Sequence, residues 1–343
     1  MITLMVDHHS KSSGLKWDAH ACLPLHPEAS IEPLLRYLKS GVHYVSINVG
    51  MDMNPLPQVM KTIAHFRAQL SAHESMTLAG NSTEIRAASA QGILSVGFDL
   101  EGALPFLESP DMVSLYRALG VRQAHLAYNR NNTVAGGCHD SPQGLTTLGR
   151  SIVSAMNSSG MIVDCSHMSE RSALDLVETS ACPVVLSHAN PSKLVPHQRN
   201  VSDTLIDEIA RREGVICVNG VNVFLGVSEP QIETFLDHLC YVAERVGAEH
   251  LGVGLDVGFS QPNLDDRPPP DLGLGEYQPS YWWPKEAGYQ SGISDVRYLP
   301  PETWRVLPKS LSTRGFSEHE IELILGENMM RLLSKIEAYA AQA

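Results

Sequence analysis

The chain has 343 residues, 43% of them hydrophobic and 18% charged, which suits a globular protein with a large buried core. Its formal net charge is -13, from 25 basic and 38 acidic residues, and no run of Lys and Arg is present to neutralise a phosphate backbone, so nucleic acid is not an expected partner. No apolar run approaches the roughly 20 residues of a membrane span, and the polar start Asp7-His8-His9-Ser10-Lys11 lacks the apolar centre of a signal peptide, so the expected setting is cytoplasmic and away from membranes.

From Leu15 onward, short apolar runs alternate with amphipathic stretches. The predicted strands are Leu15 to Ala21, Tyr44 to Val49, Ile93 to Leu100, Val121 to Ala127, Met161 to Ser166, Val184 to Ser187, Val215 to Asn219 and Leu251 to Leu255. Between them lie predicted helices over Ile31 to Lys39, Val59 to Ser71, Asp111 to Leu119, Thr147 to Ser158, Glu170 to Glu178, Asp203 to Arg212 and Gln231 to Val246. A last helix, Ser317 to Tyr339, opens on the capping box Ser317-Glu318-His319-Glu320. Eight such pairs predict an α/β fold of the (β/α)₈ TIM-barrel type, because parallel strands need helical crossovers and closure removes the sheet edges. An open doubly wound sheet would want a glycine-rich phosphate turn after the first strand, and no G-x-G-x-x-G occurs there.

The expectation is therefore one domain over residues 1–343, with one long interruption at 259–315. That segment holds Pro268-Pro269-Pro270 and three of the four tryptophans, Trp282, Trp283 and Trp304. Such an aromatic content does not suit disorder. Leaving the carboxyl end of the eighth strand, the segment should pass over the barrel mouth as a lid, a substrate wall or a subunit contact. The six cysteines are dispersed, several in apolar runs, as reduced thiols would be; five read as core filler, and Cys22 is kept as a candidate ligand.

Polar residues gather at the strand ends. His20 and Cys22 stand at the end of the first strand, and Glu101 follows the third, His167 the fifth, His188 the sixth and Asp256 the eighth. Two of these strands stop on Ser-His, at Ser166-His167 and Ser187-His188. Each residue alone could be a satisfied polar end or a cap, but in a barrel all of them converge on the face where such enzymes keep their chemistry. Imidazoles and carboxylates so collected suit a divalent ion, zinc first and manganese as the alternative, in one or two copies.

Seven strings, in order along nearly the whole chain, resemble one family. They are Trp17-Asp18-Ala19-His20-Ala21-Cys22-Leu23-Pro24, Asp99-Leu100-Glu101-Gly102, Asn129-Arg130-Asn131-Asn132, the stretch from Gly160 to Glu170 containing Asp164-Cys165-Ser166-His167, Leu186-Ser187-His188, Arg199-Asn200-Val201 and Gly252-Val253-Gly254-Leu255-Asp256. They are similar to the membrane (renal) dipeptidase family of the amidohydrolase superfamily. The resemblance implies a distorted (β/α)₈ barrel with two zinc ions, a dipeptide substrate and a homodimer. By position it implies that Glu101 bridges the two metals, that His167 and His188 bind one and His20 the other, and that Asp256 is the acid/base. Arg199, with its planar fork, would grip the substrate carboxylate, and Asn129 would sit beside the substrate.

Two residues depart from the family pattern. Cys22 stands where the first-strand motif has Asp, which puts the His20 metal position in question. Tyr128 stands where typical members have a histidine that polarises the scissile carbonyl; a phenol can also donate to a developing oxyanion. The leading expectation is a metallo-hydrolase that cleaves the amide bond of a dipeptide or similar small carboxylate-bearing substrate. The rivals are a mononuclear amidase or lactonase of a catabolic pathway and a non-catalytic relative that binds a small ligand at the barrel mouth.

Overall fold

The eight predicted strands all form and close into a parallel barrel. In the computed structural model the described residues are 14–261, 264, 279–289 and 295–343. The barrel strands are Trp17–Cys22, Tyr44–Met51, Leu94–Glu101, Val121–His125, Ile162–Asp164, Val185–Leu186, Val215–Val218 and Leu251–Val253. Each pairs with its neighbour in parallel, and Asp18 opposite Val253 closes the ring. Every residue of these strands but Met51, Cys22 and Arg122 is buried, as expected when helices cover a sheet from outside and side chains fill it from within.

Local sequence explains where several helices start. Thr146, Ser169 and Ser202 each accept a backbone N–H of the first turn, at helices Thr147–Ser159, Glu170–Thr179 and Asp203–Arg211. The predicted Ser317/Glu320 capping box is present, with both reciprocal bonds made.

Some elements differ from expectation. The strand Met76–Leu78 and the helix Ser82–Ala90 lie in a stretch read as connection; the strand pairs beside Leu94–Val96 and is too short to show a period. A two-residue strand, Val257–Gly258, pairs with Ala21 and Cys22 at the end of the first barrel strand. The last helix is interrupted at Leu323–Glu327 before continuing as Asn328–Ala340. A Cβ at Gly326 would lie 2.2 Å from the Leu15 carbonyl oxygen, so the chain there is pressed against the start of the first strand, and the Glu327 carboxylate accepts the Leu15 N–H at 3.2 Å. Tertiary contact overrides helix propensity at that point.

Within 259–315, the proline triplet lies outside the described residues. Among those described, Trp283 and Tyr289 are buried beside Tyr128, Val221 and Phe224 in an aromatic cluster over the carboxyl ends of the strands. Trp304 is buried elsewhere, its indole N–H donating to Asp18 at 2.9 Å. No helix among the described residues is long and apolar enough to cross a membrane.

Candidate active site

Because side chains alternate along a strand, the polar residues of the barrel strands fall on its inner face in layers. His20 and Cys22 come from the first strand, Asn48 from the second, Asp99 and Glu101 from the third, His125 from the fourth and Asp164 from the fifth. His167, His188 and Asp256 follow in the turns just past later strands. His167 and Asp256 have φ of 65° and 58°, in the left-handed region, as does Asn129 at 58°. Three non-glycine residues held in that conformation cluster at one mouth, where strain of about 1 kcal/mol or more apiece persists only if the surroundings enforce it.

Glu101 is the hub. Its Oε1 lies 3.0 Å from His167 Nε2, 3.4 Å from His20 Nε2 and 3.5 Å from His188 Nε2, while Oε2 accepts the Asn48 amide at 2.5 Å. Immediately after it, Gly102 has φ +126°, and a Cβ there would lie 2.1 Å from Asp52 Oδ1. Asp52 needs that room, since it accepts the N–H groups of Leu104 and Tyr128 and the Asn132 amide, tying the third-strand turn to the fourth.

The proton positions on the imidazoles follow from their partners. The Asn129 amide Nδ2 donates to the Trp282 carbonyl at 3.1 Å, so its Oδ1 faces His167 Nδ1 at 2.7 Å and must accept a proton from it. His167 Nε2 therefore carries a lone pair, and it points at Glu101 Oε1 and at His188 Nε2, 2.9 Å away. Burial, reinforced by the Arg199 charge, holds the His167 pKa well below the ordinary range; burial and the charges of His20 and Arg199 do the same to His188. An imidazolium is thus disfavoured at both positions. The donor set fits a divalent cation instead, with borderline imidazoles and one hard oxygen at mutual spacings near those of a ligand shell.

On the other side of Glu101, His20 Nδ1 donates to Asp99 at 3.3 Å, and its Nε2 faces Cys22 Sγ at 3.4 Å and Asp256 Oδ1 at 3.7 Å. Burial opposes the imidazolium of His20, yet Asp99, Cys22 and Glu101 outweigh it and raise the pKa well above the usual value. Burial pushes the Cys22 thiol up to about 12 and the Glu101 carboxyl up to about 7. His20, Cys22 and Glu101 form one group with metal-ligand spacing; Glu101, His167 and His188 form a second. Asp256 receives the Asn219 amide on Oδ2 at 2.8 Å, and burial raises its pKa.

A cavity of about 560 Å³ opens over this centre, with Cys22, Glu101, Tyr128, Asn129, His167 and Asp256 on its floor and Phe224, Trp283 and Tyr289 among its walls. The Trp283 indole, a donor only, gives its N–H to the Tyr128 oxygen at 3.1 Å. Burial raises the Tyr128 pKa well above its usual value, so the phenol keeps its own proton for another acceptor. Arg199 is buried beside a second cavity that also touches His167; it donates to the His188 carbonyl at 2.9 Å, and among the described residues its Nε has no partner.

The residues expected from the sequence thus meet at one mouth, apart from Arg199, which lines the second cavity behind His167. Sequence reasoning missed Asn48, Asp99, Asp164, Asn219 and His125. For His125 a signal existed: Gln123 and His125 interrupt an apolar strand with period two, the mark of polar residues facing inward.

Residues 30–266 match the family model described as membrane dipeptidase (peptidase family M19). The chain belongs to that family. Among curated relatives it is 32% identical over 247 residues to dipeptidase tcpJ of Claviceps purpurea, covering 70% of this chain and 51% of that one. To dipeptidase verJ of Clonostachys rogersoniana it is 29% identical, covering 77% and 61%. The chain therefore spans about half to three fifths of the length of these relatives. The family fold is shared by an amidohydrolase from Pseudomonas aeruginosa, with TM-score 0.81, 23% identity and coverage of 95% and 97%. It is also shared by a metallo peptidase from Rhodobacter sphaeroides liganded with a phosphinate mimic of the dipeptide L-Ala-D-Ala, with TM-score 0.73, 20% identity and coverage of 94% and 99%.

Proposed function

We propose that the protein is a divalent-metal-dependent hydrolase that cleaves the amide bond of a dipeptide or a similarly small carboxylate-bearing substrate. The observation that carries this reading is the His167 Nε2 lone pair, aimed at Glu101 Oε1 from 3.0 Å and at a second imidazole nitrogen from 2.9 Å. A divalent cation between them would satisfy these lone pairs and the carboxylate together. Glu101, His167 and His188 would hold one ion, and His20 and Cys22, sharing Glu101, the other; zinc suits the mixed nitrogen, oxygen and sulfur donors. When bound, such ions polarise a carbonyl and make a water molecule acidic near neutral pH.

The chain's own residues supply the rest. Asp256, with its pKa raised by burial and its carboxylate at the cavity edge, takes a proton and passes it to the leaving amine. Tyr128, its oxygen already accepting from Trp283, donates its hydroxyl proton to the carbonyl oxygen as charge develops there. Arg199, whose Nε has no partner among the described residues, serves the substrate carboxylate from the side of the second cavity. Asn129 lines the cavity and keeps the His167 proton on Nδ1. Trp283 and Tyr289 act as the substrate wall contributed by the long segment. The family resemblance favours a homodimer, and the six free cysteines suit the reducing cytoplasm.

The test is metal analysis of the purified protein together with turnover of a dipeptide panel that includes a D-residue at the carboxyl side. About two ions per chain and turnover support the reading; about one ion with turnover of other amides or lactones favours a mononuclear enzyme. No transition metal and no activity after zinc or manganese is supplied would remove it.

A further inference from the structure

The fourth barrel strand ends on a histidine to which the dipeptidase reading gives no task. His125 is fully buried, and its ring lies among those of the site, with centroids 5.2 Å from His188, 5.3 Å from His167 and 6.0 Å from His20. Its Nε2 lies 2.7 Å from Asp164 Oδ2. Asp164 also accepts the backbone N–H groups of Ser166 and Ser187 on Oδ1, at 2.9 and 3.2 Å, and the Gln123 amide on Oδ2 at 3.0 Å. A group surrounded by donors in this way is an ionised carboxylate, so the His125 proton resides on Nε2.

The other nitrogen then carries a lone pair. His125 Nδ1 has no hydrogen-bond partner among the described residues and lies 4.0 Å from Glu101 Oε1, the oxygen that His167, His188 and His20 also face. A core histidine present for packing would be expected to satisfy both nitrogens, because an unpartnered buried acceptor costs about 1–3 kcal/mol.

We propose that His125 is a further imidazole donor to the cation gathered by Glu101, His167 and His188, presenting Nδ1 to the ion while Asp164 holds the ring by its far nitrogen. A carboxylate behind a ligating histidine fixes the tautomer and strengthens the donor. This inference rests on the metal-dependent reading above and adds to it a ligand from the fourth strand.

The variant His125→Gln tests it, because the glutamine amide can still donate to Asp164 from near the place of Nε2 but offers nothing at Nδ1. Metal affinity would be measured by competition with a chelator, the ligand field by the absorption of the cobalt-substituted protein, and folding by circular dichroism and melting of the metal-free form. The expected result is unchanged metal-free melting, an altered cobalt spectrum and affinity for one ion reduced at least about tenfold. Equal affinity with an unaltered spectrum would overturn the inference alone and leave His125 as a packing partner of Asp164. Wild-type protein that binds no ion would overturn both this inference and the reading beneath it. Should the glutamine variant not fold, cadmium–nitrogen couplings in isotope-labelled wild-type protein decide: coupling through His125 Nδ1 supports the assignment, and coupling confined to His20, His167 and His188 overturns it.

Discussion

Replacing Asp256 with Asn separates chemistry from structure more cleanly than any other change at the mouth. The backbone at Asp256 sits at φ 58°, a conformation that Asn adopts as readily as Asp, so the turn should survive. The Asn219 amide now bonded to Oδ2 at 2.8 Å can donate equally to an asparagine Oδ1, and the new amide group would face the cavity. Loss of a positioned acid/base costs about 100- to 10,000-fold in kcat, or about 3–5 kcal/mol of barrier. Stability should move the other way. Burial raises the folded-state pKa of Asp256 above its unfolded value, so the group favours folding most when protonated, and that contribution is lost as pH rises through the folded pKa. A neutral amide escapes that loss, and metal-free Asp256→Asn should melt no lower than wild type at neutral pH. The assay is kcat on a dipeptide substrate, with metal content measured on the same samples. Metal retained and kcat within about threefold of wild type would refute the proton-transfer role, since that is far below the range for a lost general acid or base.

Other outcomes follow from single contacts. Tyr128→Phe removes the hydroxyl that receives the Trp283 N–H and faces the cavity; kcat should fall about 100-fold or more with KM little changed, read by steady-state kinetics. Asn129→Ala frees His167 Nδ1 and the Trp282 carbonyl together, and metal affinity, titrated against a chelator, should weaken about 10- to 100-fold. Acid should destabilise the metal-free protein partly through His139, whose imidazole burial pushes down to about 4. Its folded pKa is depressed, so the unfolded state binds the extra proton, and stability is lost as pH falls from the unfolded value of about 6.5 toward 4. About 3–4 kcal/mol is the ceiling for this ring, from the fall in its pKa from 6.5 to about 4; denaturant midpoints of wild type and His139→Gln across that window should converge in acid, and parallel curves would contradict the assignment.

The barrel was legible because its strands are apolar runs spaced by amphipathic helices, and that period survives in the chain whatever the contacts. The Ser-His strand ends, Glu101 and Asp256 were legible for a related reason: in a closed parallel barrel the strand termini share one face, so linear position alone implies proximity. The same period marks Gln123 and His125 as inward-facing, but it says nothing of a lone pair.

What the sequence determined by itself was therefore the fold, the family and the candidate ligands at the strand ends, but not their buried partners Asn48, Asp99, Asp164 and Asn219, nor His125. Tertiary structure decided how they are engaged. That Asn129 Oδ1 faces His167 depends on Trp282, more than 150 positions away in the chain, claiming the other end of the amide. That Tyr128 keeps a free proton depends on Trp283, and that Gly102 must lack a side chain depends on Asp52. Hydrogen-bond direction and the sharing of one carboxylate oxygen by several imidazoles arise from distances of about 3 Å between distant segments, and only the closed barrel sets those.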